Sequence, residues 1–552
     1  MNSLIGQIRT LSFKEANAII RRLSGIVDFF ASEGEKSEFI STYEVGTSVV
    51  CEDRVSYGDW QTPVALSDKI CESHIVKYGN PDIVIEPTCG LGAFVFSALY
   101  KFPDLSEIHA VEINAQYIND LKIKLLVNAL SADSCKHPDI YIYNADFFQF
   151  DFSHIIQKCR QNNWNLAVIG NPPWVTNSIQ GKTQSNNLPV KQNSYGLKGI
   201  DAITGKSNFD ISEYITLHLL KLSQTCKGGI SFLLKNSVIR NILMKQDGES
   251  IRISDIEQRL IDAASEFKVS VDASCFSAKF DCTASVICTV KDFYTDKFIK
   301  EYGWCNGSFV ADIKLYGVFS KYDKSSSYVW RSGIKHDCTS VLELTLSNGA
   351  FVNGFGDIVH IEDDMIYPLL KSSDIKKYHL NSIRKFIIVP QRKVGDDTSM
   401  LAVTHPLTYE YLKKYEKEFS NRKSSIYKNK DKFSIFGIGD YSFSPYKIVV
   451  SSLYKKIHFS LVSQLNGKPI MVDDTCYQLG FDNYEESKSV YDALDSQEIR
   501  SLLQALVFND AKRVVTKSLL MRLDLAQLCK DKGRTIDSQR VINGSVQQLS
   551  LF

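Results

Sequence analysis

Charge of one sign is the first thing this chain lacks. Its 64 Lys and Arg stand against 63 Asp and Glu, a formal net charge of +1 over 552 residues. That balance excludes a whole-molecule field that would draw it to an anionic polymer, so any nucleic-acid binding must come from a local patch. No stretch of 18 apolar residues occurs, which excludes a transmembrane helix. The first residues, MNSLIGQIRTLSFKEA, lack a basic segment followed by an apolar run, which excludes a secretory signal. None of the 13 cysteines forms a C-x-x-C pair. Cys51, Cys71, Cys89, Cys135, Cys159 and Cys226 are scattered, and the odd count fits free thiols in a reducing compartment. Cys275, Cys282 and Cys288 lie closer together, but the residues around them alternate like a strand. They read as buried structural cysteines, and no metal site is expected. Internal repeats and low-complexity tracts are absent too. A cytoplasmic, non-membrane protein is expected.

What is present is an ordinary globular composition, 44% hydrophobic and 23% charged, in a chain long enough for two or three domains. Residues 1–50 read as an N-terminal helical segment. Apolar residues recur at helical spacing from Leu11 to Phe30, and Ser12 with Glu15 forms a capping-box pattern. From 51 to 300 short β-rich runs alternate with helical stretches. The runs are Asp82–Glu86, Ile108–Glu112, Ile140–Tyr143, Leu166–Gly170, Ile230–Leu234, Lys268–Asp272 and Ala284–Val290. Crossover helices fit between the first five, which predicts a mostly parallel sheet buried on both faces, a doubly wound α/β domain. The last two read as a hairpin at one edge. Residues 301–552 lose that rhythm and predict a mixed α+β domain, with helical periodicity returning over 487–532.

In a doubly wound sheet, ligands sit beyond the carboxyl ends of the strands, where strand order reverses. The first strand ends in Glu86-Pro87-Thr88-Cys89-Gly90-Leu91-Gly92-Ala93-Phe94. Gly90 and Gly92 permit close backbone approach to a ligand, although a lone G-x-G also occurs in ordinary turns. The second strand ends at Glu112, followed by Ile113, 26 positions after Glu86 and placed to accept from ribose hydroxyls. The third glycine of the dinucleotide fingerprint is missing. The third strand ends in Asn144-Ala145-Asp146-Phe147, where a carboxylate can accept from an adenine amino group and an aromatic can face the ring. Taken alone, Asp146 could equally be a turn or N-cap aspartate.

The fourth strand runs into Asn171-Pro172-Pro173-Trp174. Proline cannot donate to a ladder, so the strand stops here. An exocyclic amine on a purine is a poor nucleophile because its lone pair is delocalised into the ring. Acceptors on its two protons, the Asn171 side-chain oxygen and the Pro172 carbonyl, would draw it toward tetrahedral geometry and stabilise the charge that develops on transfer. Trp174 would stack on the base. No catalytic cysteine is evident, since Cys89 lies in the glycine turn and no Pro-Cys dipeptide occurs.

In these motifs the chain resembles the N6-adenine DNA methyltransferases of bacterial restriction–modification and related defence systems, in the arrangement with the target-recognition domain last. The resemblance implies S-adenosylmethionine as cofactor on a Rossmann-like methyltransferase domain. It implies that Asp59-Trp60-Gln61-Thr62-Pro63 packs over the cofactor's methionine part, with Thr62 and Pro63 in contact. It further implies that Glu86, Pro87, Cys89, Gly90 and Gly92 form the glycine motif, and that Glu112 with Ile113 holds the ribose. Asp146 with Phe147 would hold the adenine ring, and Asn171 to Trp174 would be the catalytic loop, with Asn171 also in contact with the cofactor. Phe276 resembles the aromatic that stacks on a flipped base from the other side, with Phe280 as the alternative. The implied reaction is methyl transfer to N6 of adenine in a specific duplex sequence, by base flipping and direct in-line transfer.

Tyr411 to Lys432 carries eight basic and three acidic residues. By itself it could be a solvated helix face. Behind such a core it is expected to contact phosphates, with Arg422, Lys423, Lys428 and Lys430 as the candidates. The 34 residues from Val175 to Asn208 form a polar insertion with Lys182, Lys191, Lys198 and Lys206, either a loop that orders on DNA or a linker. No nuclease constellation is evident, so a monomeric modification enzyme is expected, with double-stranded DNA as partner and a separate restriction endonuclease or defence protein alongside. Enzymes that methylate adenine in RNA or glutamine in proteins share the N-P-P-aromatic loop and remain alternatives. So do a non-catalytic binding subunit and a cytosine-N4 enzyme, the latter usually with serine first in the loop.

Overall fold

The computed structural model describes residues 2–45, 61–131, 137–174, 210–246, 248, 250–280, 283–377, 383–510 and 513–533. Asp59, Trp60, Cys51, Cys135, Cys282 and the Val175–Asn208 insertion with its lysines lie outside them. The chain divides into two compact units, Met1–Phe309 and Val310–Phe552.

The first unit begins with helices α1 (Asn2–Ile8) and α2 (Phe13–Ser24). The Ser12 capping box forms: Glu15 N–H donates to Ser12 Oγ at 3.4 Å and Ser12 N–H to the Glu15 carboxylate at 2.9 Å. The helix is shorter than its apolar spacing suggests. Gly25 takes φ 77°, and a Cβ there would lie 2.1 Å from the Pro138 carbonyl oxygen, so the chain turns and enters β1 (Ile26–Val27) instead. After α3 (Glu33–Val45) and α4 (Val64–Tyr78), the alternating run follows: β2 (Ile83–Glu86), α5 (Ala93–Lys101), β3 (Glu107–Glu112), α6 (Ala115–Ser131), β4 (Asp139–Asn144), α7 (Ser153–Gln161), β5 (Asn165–Gly170), α8 (Ile211–Ser223) and β6 (Lys227–Lys235). Then come α9 (Asn236–Lys245), β7 (Ser254–Leu260), α10 (Ala263–Phe267), β8 (Ala273–Lys279), β9 (Ile287–Asp292), β10 (Phe298–Cys305) and β11 (Ser308–Val310).

The sheet order is β1-β4-β3-β2-β5-β6-β8-β7-β9-β10-β11. Strands β1 to β6 are parallel, and the chain winds outward one way from β2 and the other way from β5. The switch point falls between those two strands. The fold is therefore a doubly wound, Rossmann-like α/β domain, followed by a second, mixed unit. Each of the five crossover strands expected from sequence is present within a few residues. The N-terminal segment contributes an extra edge strand, β1, alongside β4.

The expected hairpin is corrected. Lys268–Asp272 is not a strand. It follows α10, whose C-cap Lys268 has φ 58°, and the strand begins at Ala273. Strand β8 runs antiparallel to both β6 and β7, while β9 lies parallel to β7 on its other side. The antiparallel partner of β8 that the sequence reading missed is β7. Its SDIEQRL places Asp255, Glu257 and Arg259 at alternate positions, which hides the strand from a search for apolar runs.

Those charges form a buried network. Glu257 accepts from Lys77 at 3.0 Å, Arg259 at 2.8 Å and Lys291 at 2.6 Å. Burial alone would raise its carboxyl, but the three cations override burial and lower it from 4.5 to about 2. A carboxyl lowered in the fold adds stability above its ordinary range, and that stability is lost as pH falls through the folded value. Urea unfolding should therefore weaken by on the order of 3 kcal/mol between 4.5 and about 2. Glu257→Gln should abolish that dependence and lower stability at neutral pH, because three cations then lack their anion. An unchanged acid profile in the variant would contradict this.

In the second unit a four-stranded sheet has the order β12 (Arg331–Ser332), β20 (Cys476–Phe481), β17 (Tyr446–Ser451), β18 (Phe459–Ser463). A five-stranded sheet has the order β14 (Ala350–Val352), β13 (Glu343–Ser347), β16 (Lys385–Ile388), β15 (Ile366–Leu370), β19 (Met471–Val472). Helices Tyr484–Leu494, Gln497–Leu506 and Leu525–Asp531 fall in the C-terminal helical stretch. The Asn353–Gly356 turn is pinned by Asn353, whose side chain accepts from Phe355 and Asp357 N–H and donates to the Tyr411 and Tyr415 hydroxyls. Among the described residues no helix is long and apolar enough to cross a membrane.

Candidate active site

Four parallel strands end on one edge of the sheet, and their last residues converge at the β2/β5 switch. Between β2 and α5, Gly90 and Gly92 both take positive φ, 52° and 87°. A Cβ at Gly92 would lie 2.2 Å from Leu121, so glycine is required for the turn to pack on α6. Gly90 N–H donates to Glu112 Oε2 at 2.9 Å and Asn114 N–H to Glu112 Oε1 at 2.8 Å. Glu112 thus ties the second strand end to the glycine turn.

Glu86 closes β2 with only 2% of its surface exposed. Burial, and next the charge of Glu112, push its carboxyl well above the ordinary range. Its Oε2 and the nearby Thr88 Oγ1 are buried and have no hydrogen-bond partner among the described residues. Orphaned acceptors at this depth are costly unless a ligand or water meets them. The Cys89 thiol is raised by burial and then by Glu86 and Glu112, which removes it as a nucleophile.

At the third strand end, Asp146 Oδ1 accepts from Phe148 N–H at 3.0 Å, a turn-capping bond. Phe147 is buried, edge-on to His218 at 5.7 Å and to Phe148 at 5.6 Å. Ile113, by contrast, is 47% exposed beside Glu112. Helix α8 brings Tyr214 and His218, stacked at 6.1 Å, against this turn. The sequence reading missed that pair. Its one signal was an aromatic and a histidine at i, i+4 on an otherwise apolar helix.

Asn171 follows β5. Its Nδ2 donates to Thr62 Oγ1 at 3.3 Å, so the segment before α4 and the strand exit meet. Gln61, passed over as a site residue, lies over the glycine turn and accepts from Leu91 N–H at 3.1 Å. Pro63 stands at the N-cap of α4.

Two expected stacking rings are placed differently. Trp174 is only 6% exposed. Its indole N–H donates to the Leu233 carbonyl at 3.2 Å, and its ring packs edge-on to Phe267 at 5.3 Å. The tryptophan seals the core under the loop and presents no open face. Phe276 is fully buried on β8, across from Phe232. Its neighbour Cys275 shares the core of Trp174, so by strand alternation Phe276 points to the opposite face. The two rings do not form opposing walls. The alternative, Phe280, lies beyond β8 at the far end of β6, bonded to the Gly228 carbonyl.

Arg422 is also corrected. Its guanidinium donates to the carbonyls of Phe419, Ser434, Lys432 and His336 at 2.7–3.3 Å and stacks on Tyr427 at 3.7 Å. It staples the 419–434 loop. Lys423, Lys428 and Lys430 are exposed. Elsewhere in the run, Lys414 pairs with Asp357 and Lys432 with Glu416. Among the described residues no group of His, Cys, Asp and Glu is placed to hold a metal.

A doubly wound sheet with a glycine turn, an acidic second strand end and an Asn-Pro-Pro-Trp exit at its switch point defines a methyltransferase. The chain is 41% identical over 481 residues to a curated "Type II methyltransferase M.NspV" of Nostoc sp. (strain ATCC 29411 / PCC 7524), an alignment that covers 86% of this chain and 98% of the relative. It belongs to this Type II methyltransferase family of restriction–modification enzymes, and its cofactor is S-adenosylmethionine. Among solved structures it is similar to the Type IIL restriction-modification enzyme MmeI in complex with DNA, at 12% identity and TM-score 0.49 over 91% of this chain and 68% of that one. It is also similar to the type I restriction-modification methyltransferase subunit of Streptococcus thermophilus, at 12% identity and TM-score 0.30 over 53% and 67%. No family model matches the chain.

Proposed function

We propose that this methyltransferase modifies N6 of adenine within a specific sequence of duplex DNA. The observation that carries the reading is the placement of Asn171 directly after β5 at the strand switch, where its side chain is bonded to Thr62 at 3.3 Å. Bound S-adenosylmethionine supplies an electrophilic methyl group. The orphan acceptors Glu86 and Thr88 fit a cationic, donor-rich ligand. Glu112, with Ile113 beside it, suits a ribose, and Asp146, Phe147, Tyr214 and His218 suit an adenine ring. Thr62, Pro63 and Gln61 would cover the site from the side of α4, with Pro87, Cys89, Gly90 and Gly92 as its floor.

The Asn171 amide oxygen and the Pro172 carbonyl accept hydrogen bonds from the two N–H groups of the target amine and stabilise the positive charge that grows on nitrogen as the carbon–sulfur bond breaks; one proton is then released to solvent. Holding the amine in line with the methyl group does the rest. These acceptors are recessed at the strand ends, so a base stacked in a duplex cannot meet them. It must rotate out, at a cost of a few kcal/mol. Lys423, Lys428 and Lys430 on the second unit are suited to backbone phosphates. Labelled methyl transfer to duplex DNA, RNA and a protein lysate in parallel tests the reading. Label confined to duplex DNA is expected, and label on RNA or on protein glutamine would overturn it.

A further inference from the structure

The carbonyl of Trp174 is held by an ammonium that the reaction described above does not use. Lys235, the last residue of β6, donates from Nζ to the Trp174 carbonyl oxygen at 2.9 Å and to Asp210 Oδ2 at 2.6 Å. Asp210 is itself fixed: its other oxygen caps α8, accepting from Ser212 N–H at 3.0 Å and Ser212 Oγ at 2.6 Å. Both side chains are largely withdrawn from water, Lys235 at 16% exposure and Asp210 at 9%. The bonds are therefore little screened and costly to leave half-made.

Lys235 also occupies the N-cap position of α9 and makes no side-chain cap there. A cation at a helix N-terminus opposes the helix dipole, and the position favours Ser, Thr, Asp or Asn. Helix formation alone does not account for a lysine here. Trp174 follows the Pro-Pro pair, and Asp210 caps α8. One ammonium thus joins the strand exit to the start of that helix. Together with the Leu233 carbonyl on the indole N–H, two residues of β6 fix the peptide that follows the prolines.

We propose that Lys235, held by Asp210, is a positioning residue for methyl transfer. It locks the Trp174 peptide, and through the rigid Pro172-Pro173 unit it sets the orientation of the Asn171 and Pro172 acceptors. The inference rests on the reading of Asn171–Trp174 as the loop where transfer occurs. A displacement of about 1 Å at such acceptors costs roughly 100-fold in rate.

The test compares Lys235→Met, Lys235→Arg, the double variant Lys235→Met/Asp210→Asn and Asn171→Ala in the full chain. Single-turnover methyl transfer to duplex DNA, KM for DNA, S-adenosylmethionine affinity and thermal midpoint are read for each. Lys235→Met should lower the transfer rate by about 10- to 100-fold, with KM and cofactor affinity within a few-fold, and Lys235→Arg should restore most of the rate. The double variant no longer buries an unpaired carboxylate, so its thermal midpoint should recover while its rate stays low. A rate within twofold of wild type in Lys235→Met, or recovery of rate together with stability in the double variant, overturns the proposal. If Asn171→Ala transfers normally, the underlying reading of the loop has failed instead.

Discussion

Asn171→Ala should lower single-turnover methyl transfer by about 1,000-fold while leaving the fold intact. In the proposed reaction the side chain supplies one of two acceptors that stabilise charge only as it develops, and removing one preorganised partner of this kind costs roughly 100- to 1,000-fold. The upper end applies because Asn171 also bonds Thr62 at 3.3 Å, so the substitution frees the strand exit from the segment before α4. The amide is not part of the Glu86–Glu112–Gly90 cluster, so S-adenosylmethionine affinity should stay within a few-fold, as should affinity for duplex DNA. Isothermal titration with cofactor and a gel-shift titration with DNA separate these terms. A variant that methylates at near wild-type rate would contradict the assignment of Asn171. One that loses cofactor binding in proportion to rate would recast it as a cofactor ligand.

The second large effect is expected on stability. Arg422 lies in the most basic stretch of the chain, yet it donates to four carbonyls and stacks on Tyr427. Arg422→Ala would strand those carbonyls, two of them, Lys432 and Ser434, on a loop with little regular structure, and should destabilise the second unit by about 3 kcal/mol. Its thermal transition would fall by several degrees. Lys423, Lys428 and Lys430 should behave in the opposite way. Changing all three to alanine leaves the transition where it is, but weakens DNA binding and makes the slope of log affinity against log salt shallower by about 3, one per lost phosphate contact. A normal transition for Arg422→Ala, or an unchanged salt slope for the triple variant, would refute this division of the basic run.

What the sequence revealed of the sheet follows from burial. Strands β2, β3, β5 and β6 are buried along nearly their whole length and, with the half-buried β4, read as largely apolar runs bounded by polar turns. Strand β7 escaped because its SDIEQRL carries the buried Glu257 network, in which Lys77 and Lys291 from other elements join Arg259 of the same strand. Strand β1 escaped because two residues after a glycine look like a helix end. At the site, each motif residue at a strand end was legible, since glycine, acid and Asn-Pro-Pro all mark places where the chain must turn or meet a ligand. Ring orientation was not legible. Trp174 is drawn into the core by Phe267 and the Leu233 carbonyl, and the pleat turns Phe276 to the other face. Lys235 and Asp210 went unread because one ammonium joins residues far apart in sequence, and no local spacing signals that.

The central claim is that the transferred methyl group ends on the exocyclic nitrogen of adenine. Duplex DNA incubated with the protein and methyl-labelled S-adenosylmethionine, then digested to nucleosides and resolved by mass spectrometry, tests it directly. All label should appear as N6-methyl-deoxyadenosine, whereas label in N4-methyl-deoxycytidine, or none in DNA, would contradict the account.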